Sequence, residues 1–234
     1  MVDNGVVHLG KRLREARERA GLSLRAVART LDFSPSFVSQ IENGKSQPSV
    51  ATLYALATLL DVPIDELFKP TPVASDANGT PSQLPVAVTE AGAGRPQRIP
   101  EFPAADGRDA QGGNLAARFS IQRPGQGRKI VLDSGVVWTQ LATNTSQELD
   151  FIEVLYPVGS SSTTDDRMLQ HVGHEYGYLI EGQLEVTVGF DVYTLDAGDS
   201  LGLESAIPHL FKNTGDIPAR GIWCVHHTHP QGTN

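Results

Sequence analysis

Residues 34–49, SPSFVSQIENGKSQPS, decide the expected fold of the N-terminal part of this chain. Ser34-Pro35 is a strong helix start, because serine caps the free N–H groups of a first turn and proline suits the first helical position. Asn43-Gly44 is typical of a helix end, since both residues tolerate the left-handed backbone that closes a last turn. The stretch therefore predicts a short helix between these two signals.

The predicted helix, of about residues 35–43, has two different faces. Val38 and Ile41 lie on its apolar side, and short polar residues take the opposite side. Two short helices joined by a tight turn, the second of which presents small polar side chains, suit the major groove of B-DNA.

Four further helices are expected around it, which makes five over residues 6–69. Leu9, Leu13 and Ala16 form an apolar stripe on the first, of about residues 8–20. The other predicted starts are Ser23 for the second helix, Pro48-Ser49 for the fourth and Pro63 for the fifth.

Residues 21–68 resemble the helix-turn-helix domain of the lambda-repressor/Cro family, also called the XRE family, and the match is most specific over residues 34–49. The resemblance implies binding to a double-stranded DNA operator, with base reading by Ser34, Ser36, Phe37, Ser39 and Gln40. It assigns the positioning of phosphates to Ser23, Asn43 and Lys45. It also implies a structural ion pair between Arg17 and Glu42. The alternative is a helical protein-interaction module of the same shape, which leaves the polar face of residues 34–40 without a purpose.

The charge of the chain is divided unevenly. The net charge is −8, yet residues 1–69 carry nine Lys and Arg against eight Asp and Glu, so the rest of the chain carries the acidic excess. A nearly neutral DNA-binding part predicts affinity from a few well-placed contacts and from homodimerisation rather than from bulk attraction.

Other features of the sequence predict a cytoplasmic protein with no membrane partner. No apolar run approaches the roughly 18–20 residues of a membrane span, and the N-terminus lacks the pattern of a secretory signal. A single cysteine, Cys224, fits a reducing compartment. Residues 70–113 are dense in Pro, Gly, Ala and Ser, which predicts a flexible linker.

Residues 114–230 change to short alternating segments that are broken by Gly, Pro and Asp. This pattern predicts about ten antiparallel strands in a sandwich or small barrel, and hence a multidomain α + β chain. Residues 171–182, HVGHEYGYLIEG, together with residues 198–213, resemble the cupin fold, a double-stranded β-helix or jelly roll.

The cupin resemblance implies a metal-ligand set of His171, Glu175 and His209, which is a two-histidine, one-carboxylate set suited to Zn, Fe, Ni or Mn. Leu169 stands where the motif has its leading histidine, and Glu204-Ser205-Ala206 replaces the Pro-x-Gly of the second motif. The other interpretation is that the three polar groups line an organic-ligand pocket without metal.

Strand parity adds two expectations. His171 and Glu175, four residues apart, share parity if both lie on one strand, so both are expected to point inward. His174, Tyr176 and Tyr178 are then expected to point outward, where the two tyrosines would serve a dimer interface. His226, His227 and His229 are interpreted as part of a frayed polar tail, and Trp138, Tyr156 and Trp223 as core or pocket walls.

The leading hypothesis joins the two halves: a cupin domain senses a small-molecule effector and modulates operator binding by the helix-turn-helix domain of a homodimer. The rival is a metal-dependent cupin enzyme, an oxygenase or isomerase, fused to a DNA-binding domain. Leu169 argues against the rival, because catalytic cupins usually display a fuller ligand set. An antitoxin-like partner binder has no support in the sequence.

Overall fold

The structure is a computed structural model, and it describes residues 9–69, 120–143, 149–165 and 167–227. The predicted linker of residues 70–113 and His229 lie outside these residues. Among the residues described, no helix is long and apolar enough to cross a membrane.

Five helices form the N-terminal part, as the sequence predicts. They are α1 (Leu9–Arg19), α2 (Leu24–Thr30), α3 (Pro35–Glu42), α4 (Val50–Leu59) and α5 (Ile64–Leu67). Three serines cap three of these helices, because each side-chain oxygen accepts a hydrogen bond of 3.1 Å from a backbone N–H of the first turn. These capping residues are Ser23, Ser34 and Ser49.

The described strand-rich part has nine strands rather than about ten. They are β1 (Lys129–Val131), β2 (Val137–Gln140), β3 (Leu149–Tyr156), β4 (His174–Glu181), β5 (Gln183–Val188), β6 (Asp191–Asp196), β7 (Ser200–Glu204), β8 (His209–Lys212) and β9 (Ala219–His226). Six of them form one sheet in the order β1-β2-β3-β9-β4-β7, and three form a second sheet in the order β6-β5-β8. All neighbours are antiparallel, which confirms the predicted cupin architecture.

The inner and outer faces of β4 follow the predicted parity. Glu175 is buried, whereas His174, Tyr176 and Tyr178 are exposed. His171 is also buried, but the expected reason is wrong, because β4 begins only at His174 and parity along one strand does not apply. Gly173, with a φ of +128°, turns the chain between His171 and the strand.

The helices and the strands belong to one compact unit. Backbone hydrogen bonds join them at two points: the Ala51 N–H donates to Ser162 O at 3.2 Å, and the Asp133 N–H donates to Pro48 O at 3.1 Å. The central apolar contact is Tyr54 of α4, whose ring centroid lies 5.5 Å from that of Trp138 on β2. The helical part therefore contacts the strand-rich part directly.

Candidate nucleic-acid interface and cupin cavity

Helix α3 presents the predicted polar face outward. Ser34, Ser36 and Gln40 are exposed, and Ser39 and Phe37 are half-buried. The Phe37 ring packs edge-on against Phe33, with 5.5 Å between the centroids, so part of its surface supports the turn before α3. The structure thus brings the five predicted base-reading residues to one short helix and its cap.

The three predicted phosphate-positioning residues differ in whether their side chains already form hydrogen bonds within the protein. Lys45 is exposed, and Ser23 is exposed while its oxygen caps α2. The Asn43 side chain is held internally: its amide nitrogen donates to Ser39 O at 2.7 Å, and its amide oxygen accepts from Arg14 at 2.9 Å. Sequence reasoning did not single out Arg25 and Arg29 of α2, which are also exposed and, among the described residues, form no ion pair.

An ion pair fixes α3 against α1, as predicted. Arg17 donates two hydrogen bonds, of 2.6 and 2.9 Å, to the carboxylate of Glu42, and a third of 2.9 Å to Leu22 O. Arg14 reaches the same carboxylate at 3.3 Å. The hydrogen bond to Glu42 raises the pKa of the Arg17 guanidinium, so Arg17 stays charged. Glu42 is 6% exposed, and a buried carboxylate needs such partners.

Three side chains converge in the cupin part. Nε2 of His171 lies 2.7 Å from Oε1 of Glu175, and Nε2 of His209 lies 3.1 Å from the same oxygen. The ligand atoms of the three residues all lie within 4.8 Å of one another, and all three residues are buried. Burial raises the pKa of the Glu175 carboxyl, but the hydrogen bond with His171 and the nearness of the two imidazole rings outweigh it and hold that pKa well below its usual value. Glu175 is therefore an ionised carboxylate.

The donor set fits a divalent metal ion. Nδ1 of His209 is 2.8 Å from Ile207 O, and this contact holds the Nδ1 proton and leaves the Nε2 lone pair facing the site. That Nε2 has no hydrogen-bond partner among the described residues, although it lies 3.1 Å from Oε1 of Glu175. An orphaned buried nitrogen beside a carboxylate and a second imidazole is the arrangement that a metal ion satisfies.

Leu169 occupies the place from which the fourth ligand would come. It is buried, it pairs with His209 through two backbone hydrogen bonds, and its side chain lines the cavity. Ser205, from the replaced Pro-x-Gly segment, is buried and donates to Oε1 of Glu175 at 3.3 Å. The departures from the cupin motif thus remove one potential ligand and add one hydroxyl donor.

The barrel cavity beside Glu175 is small. Its volume is about 20 Å³. Of the two expected roles, core or pocket wall, the structure gives Trp138, Tyr156 and Trp223 the second, because all three line this cavity. Such a volume holds about one water molecule or one ion.

Two groups that the sequence did not reveal complete the site. The Tyr54 ring stacks on the His171 ring, with centroids 4.2 Å apart and planes 9° from parallel. Nε2 of His227 contacts Oδ2 of Asp150 at 2.6 Å, and His226 is the last residue of β9, so the prediction of a frayed tail is wrong for both. Residues far apart in sequence make both contacts, and no spacing rule could have found them.

Comparison with known proteins agrees with this architecture. A helix-turn-helix domain family matches residues 8–68, and a cupin domain family matches residues 152–225. The HTH-type transcriptional regulator PuuR of Escherichia coli (strain K12) is 27% identical over 214 residues, which cover 92% of this chain and 91% of that protein. The HTH-type transcriptional regulator SutR of the same strain is 24% identical over 216 residues and covers 92% of both.

A solved structure shares the fold over nearly the whole chain. The crystal structure of an HTH_3 family transcriptional regulator from Vibrio cholerae covers 95% of this chain and 96% of its own, with a TM-score of 0.56 and 18% identity. Fold and site together define a protein that joins a helix-turn-helix domain to a cupin domain. The chain belongs to the XRE-type transcriptional regulators that carry a C-terminal cupin domain.

The Arg17–Glu42 pair gives a stability prediction. Arg17→Ala leaves the Glu42 carboxylate buried with only its longer contact to Arg14, so we expect a loss of about 3 kcal/mol in the free energy of unfolding. Urea unfolding followed by helical circular dichroism measures it. The matched control is Arg19→Ala, which removes the exposed Arg19–Glu66 pair of 2.9 Å and should cost less than about 1 kcal/mol. Equal losses in the two variants would show that the pair does not fix α3.

Proposed function

We propose that this protein is an operator-binding transcriptional regulator whose cupin part senses a small molecule, holds a divalent metal ion and modulates operator binding. The observation that carries the proposal is the contact of Tyr54, on the helix after the reading helix, with His171 of the cupin site. A change at that site thereby reaches the helix-turn-helix part through one contact. Such coupling between two sites is typically worth about 1–3 kcal/mol.

The DNA-binding half of the proposal rests on α3. Its exposed serines and Gln40 can reach base edges, and Gln40 can form two hydrogen bonds with an adenine. Arg25, Arg29 and Lys45 offer exposed cations near it for phosphates. A protein that acts on an operator works where the DNA is, and we propose a cytoplasmic location on that ground.

A homodimer would place two reading helices on half-sites about 34 Å apart. The face that we assign to it, called the outer sheet face, consists of Phe151, Tyr176, Tyr178, Ile222 and Cys224. In register, Cys224 lies beside both Phe151 and Tyr176, and Ile222 lies beside Tyr178, so the face is continuous across β3, β9 and β4. Tyr176 is 55% exposed and Tyr178 is 50% exposed. Large rings exposed side by side are typical of a surface that binds another protein.

The metal half of the proposal rests on the convergence of His171, Glu175 and His209. A bound Zn, Fe, Ni or Mn ion would supply a Lewis acid that orients or polarises a ligand. We propose a sensor rather than an enzyme, because Leu169 fills the fourth ligand position and the relatives that span most of the chain are named as regulators.

The reading helix is tested with an operator selected from random DNA by the full-length protein. We expect the double variant Ser36→Ala, Gln40→Ala to bind it about 5–150-fold more weakly, which corresponds to about 1–3 kcal/mol for one lost bidentate contact. Lys45→Ala should instead weaken binding to all DNA sequences alike. It should also reduce the slope of the logarithm of the affinity against the logarithm of the salt concentration by about 1. Ser200→Ala, on β7, is the control. Unchanged operator binding by the double variant at physiological salt would refute the assignment of α3.

The metal site is tested by elemental analysis of the purified protein. We expect about one equivalent of a divalent ion. Glu175→Gln removes a direct ligand, so it should lower the affinity for the metal ion by more than about 100-fold, which is the most that loss of an outer-shell partner usually costs. Glu185→Gln, on β5, is the matched control, and Leu169→His should strengthen binding by adding a ligand. A protein that neither contains nor takes up metal would refute the metal half of the proposal. Stoichiometric iron with turnover of a substrate would favour the enzyme.

The dimer face is tested by light scattering after size exclusion. Tyr178→Lys places a charge on the outer sheet face, so we expect it to convert the dimer to a monomer. Val192→Lys adds the same charge at a 60% exposed position on the other sheet and should leave the dimer intact. Dissociation by Val192→Lys alone would move the interface to β6.

A further inference from the structure

A second, larger space adjoins the cupin site. It is a cleft of about 480 Å³, lined on one side by α4 and the end of α2 and on the other by residues 170–172 and Ala206. Sites for small molecules usually measure about 300–1,000 Å³. The barrel cavity, at about 20 Å³, is far below that range.

The chemistry of the cleft walls is mixed in the manner of a ligand site. Leu31, Ala55 and Leu59 give a half-buried apolar wall on the helical side. Thr58 and Gln170 place polar groups at the exposed rim. Apolar walls with a few polar groups favour an apolar molecule that is oriented by a small number of hydrogen bonds.

One buried polar atom in the wall lacks a partner. Nδ1 of His171 is buried and makes no hydrogen bond to any described residue. Nε2 of this ring faces the Glu175 carboxylate, so Nδ1 offers a lone pair when Nε2 carries the proton and an N–H when Nε2 binds a metal ion. A hydroxyl group that reaches Nδ1 from the cleft would satisfy it in either state, because it both donates and accepts.

The Tyr54 ring borders both spaces. It lines the cleft and the barrel cavity alike, and it stacks on His171, which lines the cleft. An occupant of the cleft would therefore touch α4 and the metal-ligand candidate His171 together, without entering the barrel.

We propose that the effector is a small, largely apolar organic molecule with a hydroxyl group, and that it binds in this cleft rather than inside the barrel. This inference rests on the proposed small-molecule sensing and names its site. Because both walls contribute contacts, the bound molecule stabilises one arrangement of the helices relative to the cupin part.

The test uses the full-length, methyl-labelled protein and three probes: phenol, cyclohexanol and, as a probe of similar size without the hydroxyl, toluene. We expect phenol to show intermolecular NOEs to the methyl groups of Ala55, Leu59 and Val172. Phenol should also bind about 2–10-fold more tightly than toluene, as one hydrogen bond allows. NOEs to Ile152, Val154 and Val225 of the barrel cavity, or no binding of either hydroxyl probe, would overturn the proposal. Equal affinity for phenol and toluene would overturn the hydroxyl assignment.

Filling the cleft provides the second arm. Ala206→Trp, at an exposed position of the wall, should abolish phenol binding while operator binding without probe stays unchanged. Ala55→Phe fills the same space from the opposite wall, and Thr214→Trp, at an exposed loop position outside the cleft, is the control. Undiminished phenol binding in both filled variants would refute the cleft. A protein that selects no operator would refute the proposed function instead, so the two failures are distinguishable.

Discussion

The packing of one tyrosine against one histidine links the helical part of the chain to the cupin site. The Tyr54 side chain, on α4, packs parallel to the His171 ring. A residue of the helix-turn-helix part therefore forms a wall of the cupin cavity. Full burial raises the pKa of the Tyr54 phenol, with the nearby Glu175 and Asp150 carboxylates as further causes, and the ring stays neutral. Tyr54 can therefore pack beside two acids without bringing a further charge into the interior.

The buried carboxylate of Glu175 imposes the second constraint. Its charge is stabilised by donors that converge on one oxygen, from His171 and, at a longer distance, Ser205, with the His209 ring beside them. Removing a donor would leave a charge in a small apolar cavity, which costs more than the contact itself contributes. The same convergence that suits a metal ion thus also keeps the site ordered around its carboxylate.

The sequence predicted those features that depend on only a few neighbouring residues. Ser23, Ser34 and Ser49 cap helices because a cap needs only the first turn, and Glu175 points inward because strand parity is a property of a few residues. The Arg17–Glu42 pair followed from the family resemblance. His171 precedes β4 and is joined to it by the turn at Gly173, so strand parity could not predict the burial of its side chain. Tyr54, Ser205 and the Asp150–His227 pair come from distant segments that meet only in the folded chain.

Helix α4 performs two tasks with successive residues, and this has an evolutionary consequence. Leu53 and Leu56 are fully buried in the helical core, whereas Ala55 and Thr58 line the cleft. Under the proposed binding in the cleft, natural variation at these two positions would alter which molecule is recognised without disturbing the helix-turn-helix fold. Variation at Tyr54 is pleiotropic, since that side chain is shared by both. Divergence of ligand preference among such regulators should accordingly begin at the cleft positions of α4 and leave its tyrosine in place.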